Sequence, residues 1–250
     1  MEIKHLYGLI GYPLEHSFSK RYFTEKFARE GIAGHAYELF PIPDIGDLPR
    51  LVTAHPNLRG LNVTIPYKEA VLSFLDELDS GARAVGAVNT IRIREGRLQG
   101  FNTDVYGFEV SLRRFLAAAA APPGSALVLG TGGASKAVRF VLDRLSIPYL
   151  VVSRDRRRAD LDYAALDKTT LVAHPLIINT TPLGMAPHAD TCPDLPYGAL
   201  TEKHLLYDLV YNPEKTLFLA AGEKRGAATK NGLEMLFLQA EQAWALWNAP

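Results

Sequence analysis

SALVLGTGGASKAVRFVLDRL, residues 125–145, decides the fold. An apolar run, ALVL, leads straight into Gly130, Thr131, Gly132 and Gly133, and a stretch with helical spacing follows. Strand, glycine turn and helix in that order open a βαβ unit. The glycines allow a tight turn and a close backbone approach. The helix start offers unpaired N–H groups and a positive dipole end to an anion such as a pyrophosphate. The strict GxGxxG spacing is not met, because Ser135 takes the third glycine position and Ala137 is the small packing residue. The loop is not a phosphate-binding P-loop either, since it lacks GK[ST] at the required spacing. On the loop alone, a tight turn with no ligand remains open.

Beyond the loop the βαβ pattern repeats. Strands are expected at YLVVS (149–153), LIINT (176–180), LLYDLV (205–210) and GAATK (226–230). Branched, apolar strands set between helices predict a parallel sheet covered on both faces, a doubly wound nucleotide fold. The second strand of such a unit ends about twenty residues past the loop, where an NAD site places an acid. Here Ser153 and Arg154 come first, Asp155 follows, and then Arg156, Arg157 and Arg158. A guanidinium suits the 2′-phosphate of NADP, because it is always charged and bonds bidentately. Asp155 leaves NAD open, and a solvated basic helix start would also read this way.

Upstream, the first hundred residues alternate between strand and helix. HLYGLIG (5–11), HAYELF (35–40) and GLNVTI (60–65) read as strands, and residues 18–30 as a helix with Phe18, Tyr22, Phe23 and Phe27 on one face. Residues 68–78 read as a second helix. AVNTIRI (87–93) and RLQGF (97–101) form a hairpin across Arg94, Glu95 and Gly96. A helix from Val105 to about Ala119 runs into a break at AAAAAPPG (117–124), and a last helix spans 233–247 with Leu233, Leu236, Phe237, Ala240, Ala243, Trp244 and Trp247 at helical spacing. The expectation is an α/β substrate domain at 1–104 plus 231–250, with the C-terminal helix returning to it, and a Rossmann, doubly wound parallel-sheet domain at 105–230. Ligands of such sheets lie beyond the carboxyl ends of the strands, here the cleft between the domains.

Composition narrows the function. Lys plus Arg and Asp plus Glu each number 27, so a nucleic-acid or anionic-membrane footprint is not expected. There is a single cysteine, Cys192, no secretory signal pattern, and no apolar run near the roughly 20 residues that span a bilayer. The seven histidines are scattered singly, without metal-site spacing. A cytoplasmic protein without metal, monomer or homodimer, is expected.

Four polar clusters sit at strand ends in the first domain: Ser17 and Ser19; Asn62, Thr64 and Lys68; Asn89 and Thr90; Asn102, Thr103 and Asp104. Neutral donors and acceptors suit a substrate with several hydroxyls, and a lysine with an aspartate suits proton transfer at an alcohol or ketone. Each residue also has a structural use. Ser17, Ser19 and Asp104 stand where helix N-caps belong, and a lysine is most often a solvated surface residue.

Taken together, these motifs resemble the shikimate dehydrogenase family, in order and over nearly the whole chain. GYPLEHSFS (11–19) resembles its carboxylate segment, which implies that Ser17 and Ser19 bind the substrate carboxylate. NVTIPYK (62–68) resembles its lysine motif, which implies Lys68 as the catalytic lysine with Asn62 and Thr64 near the substrate. GAVNT and GFNTD resemble the next two motifs; Asn89 and Asp104 would bind ring hydroxyls, and Asp104 would complete the catalytic pair. GTGGASKA matches the glycine loop, implying cofactor contacts at Gly130, Gly132, Gly133 and Ala134, with Ser153 and Arg154 at the adenosine phosphate. INTTPLGM (178–185) and DLVYNP (208–213) match later segments, bringing Thr180, Met185 and Leu209 to the cofactor and Tyr211 to the substrate. NGLEMLFLQA (231–240) resembles the closing motif, with Gly232 near the nicotinamide and Gln239 on the substrate. The chain departs from the pattern at Lys20, Ser153, Asn231 and Glu234.

The resemblance implies reversible reduction of 3-dehydroshikimate to shikimate with NADPH. The alternatives are a quinate or shikimate dehydrogenase using NAD, and a metabolite-sensing relative without turnover.

Overall fold

The computed structural model describes residues 3–14, 18–119 and 123–249. The chain divides into two compact units, Met1–Thr103 with Ala240–Pro250, and Asp104–Gln239.

The first unit is built on a six-stranded mixed sheet. β1 (His5–Gly11) lies between β2 (His35–Pro41) and β3 (Leu58–Val63), parallel to both. β5 (Thr90–Arg94) runs antiparallel to β3, and β6 (Arg97–Phe101) antiparallel to β5. β4 (Glu77–Leu78) closes the edge beside β6. The β5–β6 hairpin turns on Glu95 and Gly96, at φ 49° and 76°. Two consecutive left-handed residues are what a two-residue hairpin turn of matching twist requires.

Alternation along β1 feeds two cores. Leu6 and Ile10 pack with Leu48, Leu58, Leu61 and Val71 under α2 (Leu48–Ala54) and α3 (Ser80–Val85). Tyr7 and Leu9 face the other way, onto α1 (Phe18–Arg29) and the end of the last helix, α8 (Leu233–Asn248), where Phe23, Phe27, Tyr37 and Trp247 gather. Trp247 donates its indole N–H to the Ile91 carbonyl at 2.9 Å, and its ring fills the space a Cβ on Gly60 would need.

Residues 68–78 correct the sequence expectation of a helix. They form a short 3-10 turn, Ala70–Phe74, and then β4. The Asp76 carboxylate accepts from the Leu98 amide at 2.7 Å, and the Asp76 amide donates to the Leu98 carbonyl at 2.9 Å. Leu72, Phe74, Leu75 and Leu78 all turn toward the core. A single helical stripe cannot bury four such closely spaced residues and also supply a ladder to β6.

The second unit carries a five-stranded, all-parallel sheet of order β11-β10-β9-β7-β8. Its strands are β7 (Ala126–Leu129), β8 (Tyr149–Val152), β9 (Leu176–Asn179), β10 (Leu205–Asp208) and β11 (Ala228–Lys230). Every residue of β7, β9 and β10 is buried, as strands covered on both faces must be. From β7 the chain crosses outward to β8 through α5 (Gly133–Arg144), then returns to β9 on the other side through α6 (Lys168–Ala173). The order therefore reverses between β7 and β9, the position where doubly wound sheets bind ligands. α7 (Leu217–Glu223) leads into β11, and α4 (Thr103–Ala117) lays Phe108 and Phe115 edge-on to Tyr207 of β10. No helix among the described residues is long and apolar enough to cross a membrane.

Candidate active site

In the first unit, polar side chains converge at the carboxyl end of β3. Asn62 is the next-to-last residue of β3. Its Oδ1 accepts from the Tyr37 hydroxyl at 2.8 Å, and its Nδ2 donates to the Asn89 carbonyl and to Thr90 Oγ1 at 3.3 and 3.2 Å. Ser19, on the first turn of α1, hydrogen-bonds the same Tyr37 hydroxyl. Burial pushes the Tyr37 phenol far above its usual range, with the Ser19 bond acting the other way, so Tyr37 stays neutral and serves as a fixed donor.

Asn89 continues the network. Its Oδ1 accepts from the Thr103 amide at 2.7 Å, and its Nδ2 donates to Thr103 Oγ1 at 3.0 Å. It thereby caps the start of α4 from a distance. Asp104 follows Thr103, buried in the first turn of α4, where a carboxylate is favoured by the helix dipole. The carbonyl of Lys68 accepts from the Val88 amide at 2.7 Å, which fixes the lysine's backbone one residue from Asn89. Thr64 donates its amide to the Ile10 carbonyl at 3.0 Å, joining the ends of β1 and β3. Ser17 lies outside the described residues.

In the second unit, the cofactor candidates gather at the carboxyl ends of the parallel strands. Gly130 follows β7 at φ 109°, a conformation open to glycine, and a Cβ there would lie 2.8 Å from Thr180 Oγ1. Thr180 follows β9, and its hydroxyl donates to the Leu129 carbonyl at 2.6 Å. Leu209 follows β10, and its carbonyl occupies the space of a Cβ on buried Gly232, whose amide donates to Val210 at 3.1 Å. Tyr211 is half-buried on the same turn, and Met185 is exposed on the loop after Thr180.

α5 begins at Gly133 after the N-cap Gly132, with no side-chain cap. A Cβ at Gly132 would meet nothing within 4 Å, and Ala134 is half-buried. The Ser135 hydroxyl, in the first turn, is buried without a hydrogen-bond partner among the described residues. Uncapped main-chain donors, an open approach at Gly132 and an unsatisfied hydroxyl fit a pyrophosphate.

Past β8, Arg154 is exposed, and Ser153 Oγ accepts from the Asp155 amide at 3.2 Å. Asp155 turns into the following 3-10 turn. Its carboxylate accepts from the Arg157 amide and takes both Arg157 Nε and Nη2, at 3.0 and 3.1 Å, which holds its carboxyl below the usual aspartate range. Arg158 reaches back to the Thr131 carbonyl of the glycine loop at 3.3 Å. The acid that left NAD open in the sequence is thus neutralised by its neighbour, and the remaining arginines leave a basic rim suited to a phosphate.

A network beneath these loops is not evident from the sequence. Asp208, fully buried, accepts from Asn179 Nδ2 at 2.9 Å, from the Val210 amide at 3.0 Å and from Thr216 Oγ1 at 2.6 Å. Asn179 Oδ1 in turn accepts from the Thr181 amide and hydroxyl at 3.0 and 2.7 Å. One carboxylate therefore ties the turns after β9 and β10 together. Burial pushes Asp208 up to about 6, against the pull of its three donors.

Gln239 is buried on α8, which crosses α4 so closely at Gly107 that a Cβ there would lie 3.1 Å from the Gln239 amide. Gln239 thus stands within one turn of Asp104. Glu234 fixes this crossing, accepting from Ser111, Arg114 and Lys230 at 3.0, 2.6 and 2.6 Å. Burial opposes its ionisation, but those three donors bring it down to about 2.

Of the residues singled out by sequence, Ser19, Asn62 and Asn89 share one hydrogen-bonded network, and Gly130, Thr180, Leu209 and Gly232 share one end of the second sheet. Tyr37, Asn179 and Thr216 were not singled out. Tyr37 sits in an apolar strand run, and the other two read as ordinary strand-end and cap residues.

Three comparisons bear on this arrangement. The family described as shikimate dehydrogenase substrate binding domain matches residues 9–91. The shikimate dehydrogenase (NADP(+)) of Desulforamulus reducens is 38% identical, covering 96% of this chain and 88% of that protein. The crystal structure of shikimate 5-dehydrogenase from Thermus thermophilus in complex with NADP(H) and shikimate superposes with a TM-score of 0.85 at 33% identity, covering 98% of this chain and 94% of that one. Quinate dehydrogenase from Corynebacterium glutamicum in complex with NAD superposes with a TM-score of 0.87 at 30% identity, covering 99% and 94%.

Proposed function

Because the chain belongs to the shikimate dehydrogenase family, we propose that it catalyses the reversible reduction of 3-dehydroshikimate to shikimate with NADPH, as a cytoplasmic enzyme, monomer or homodimer. The observation that carries this reading is 38% identity to an NADP-dependent shikimate dehydrogenase over 96% of the chain. NADPH, when bound, supplies the hydride. The first unit supplies most of the residues proposed for the substrate, and the second those proposed for the cofactor together with Asp104, Tyr211 and Gln239.

In this reading Ser17 and Ser19 hold the substrate carboxylate, and Asn62, Thr64, Asn89, Tyr211 and Gln239 bind or border the ring hydroxyls. The neutral Tyr37 supports Ser19 and Asn62 from below, since its hydroxyl meets both. Lys68 donates a proton to the alkoxide oxygen as charge grows there, and Asp104 orients the same hydroxyl. In the oxidation direction the lysine takes that proton back. On the cofactor side, the free donors of the α5 start, with Gly130, Gly132, Gly133 and Ala134, hold the pyrophosphate. Ser153 and Arg154, joined by Arg158, hold the 2′-phosphate. Thr180, Met185, Leu209 and Gly232 border the nicotinamide. Engagement of Asp155 by Arg157 is what favours NADP over NAD here.

Absorbance of NADPH, followed with shikimate and either NADP or NAD, tests the reaction. Rapid reduction of NADP is expected. Activity confined to NAD and extending to quinate would replace this assignment with a quinate dehydrogenase, and silence with both substrates and both cofactors would overturn it. Lys68→Ala is expected to lower kcat by several decades, or about 4 kcal/mol or more of transition-state stabilisation, with NADP affinity nearly unchanged. A large loss of NADP binding in that variant would remove the lysine from its proposed role.

A further inference from the structure

The first unit has a cavity of about 410 Å³ that the proposed reaction does not use. It lies at the amino ends of β1, β2 and β3, where His5 and His35 begin their strands and Arg59 is the second residue of its own. The polar network around Asn62 is at the opposite, carboxyl, end of the same strands. His5, His35, Arg59 and Arg94 line the cavity, Tyr7 and Trp247 wall it, and Glu95 is the one carboxylate on the lining.

Among the described residues neither Arg59 nor Arg94 is in an ion pair, although Glu95 shares the lining. Arg59 donates through Nε to the imidazole Nδ1 of His5, at 3.4 Å. A guanidinium presents five donors, and a neutral ring nitrogen at that distance is a weak partner for one of them. Arg94 donates to the main-chain carbonyl of Ala249. The His5 and His35 rings sit 4.7 Å apart by centroid, and Tyr7 stacks on both His35 and Trp247. Burial lowers the proton affinity of His5, and every charged neighbour that acts on it, His35, Arg59 and Lys4, lowers it further. Two guanidiniums and two imidazoles on one lining offer an oxyanion more donors and positive charge than the single Glu95 carboxylate answers.

We propose that this cavity is a second ligand site, separate from the catalytic one, that binds a small oxyanion, a phosphate or carboxylate group, between Arg59, Arg94 and the two imidazoles. The guanidinium forks supply paired N–H donors to the oxygens. His5 takes up a proton when the anion enters, so binding is tighter below neutral pH than above it.

The test is imidazole NMR of the full-length protein, titrated with inorganic phosphate in one arm and benzoate in the other, at fixed ionic strength. Saturable shifts at His5 and His35 are expected, with the His5 pKa rising on saturation. Saturation by phosphate alone assigns the site to phosphate groups, and saturation by benzoate to ring-bearing carboxylates. Arg59→Met is expected to weaken binding about tenfold or more, and Arg59→Lys to restore part of it. Both variants should retain the wild-type kcat measured without the anion, which also shows that they are folded. Unsaturable shifts, or equal shifts in wild type and Arg59→Met, would overturn the proposal.

Discussion

Asp208 shows how much one buried acid can organise. Its three donors are a side-chain amide at the end of β9, and a main-chain amide and a hydroxyl from the segment between β10 and α7. Its carboxyl lies at about 6 in the folded protein against about 3.9 in an unfolded chain. Between those values the native state holds more protons than the unfolded one, so stability falls as pH rises from 4 to 6 and levels off above. Asp208→Asn can keep the geometry, with Oδ1 accepting from Asn179 and Val210 while Nδ2 donates to Thr216. The variant should therefore lose this pH dependence, gaining about 2–3 kcal/mol on wild type between pH 4 and 6.5 in urea denaturation. Parallel curves for the two proteins would mean the carboxyl titrates normally. This is also where sequence reading stops short at the residue scale. DLVYNP marks the segment as a site, but Asn179 is 29 residues away in the chain and Thr216 eight, and nothing local couples them to Asp208. Tyr37 was missed for the same reason, since its partner Asn62 lies 25 residues on.

At the scale of elements, the turn from β7 to α5 holds the second unit's candidate site. Gly130 needs its left-handed φ and also the absence of a Cβ, because Thr180 sits against it. Gly130→Ala is expected to cost about 1–3 kcal/mol of stability and, by shifting the loop, to weaken NADP binding by more than tenfold in a fluorescence titration. An unchanged NADP affinity would show that the loop is a structural turn only. The strand–glycine–helix order made this element legible from sequence, just as Arg94, Glu95 and Gly96 between two strand-like runs made the β5–β6 hairpin legible. Short helices were less visible. α2, α3, α6 and α7 have seven residues or fewer, under two turns, too few to establish a period. Residues 68–78 failed differently, because their leucines mimic a helical stripe while Asp76 recruits the segment to the sheet edge.

For the whole molecule, the informative element is α8, which starts in one unit and ends in the other. Helical spacing at residues 233–247 was readable, but not its division into two halves. Gln239 lies beside Gly107 of α4, whereas from Ala240 onward the helix completes the aromatic core of Tyr7, Phe23, Phe27 and Tyr37. Trp247 is the keystone of that core: nearly fully buried, bonded to Ile91 and seated on Gly60. Trp247→Ala removes the ring and leaves the Ile91 carbonyl short of a donor, so a loss of about 3–5 kcal/mol is expected. The chain's only two tryptophans, Trp244 and Trp247, both belong to the first unit, so in the variant Trp244 fluorescence reports that unit alone. Its unfolding midpoint in urea should fall well below wild type. NADP, proposed to bind the second unit, then separates two modes of unfolding. If ligand raises the Trp244 midpoint of the variant, the two units unfold together and the helix couples them. If it leaves that midpoint unchanged while protecting far-UV signal at higher urea, the weakened first unit unfolds alone. A variant as stable as wild type would refute the assignment of Trp247 as the core's anchor.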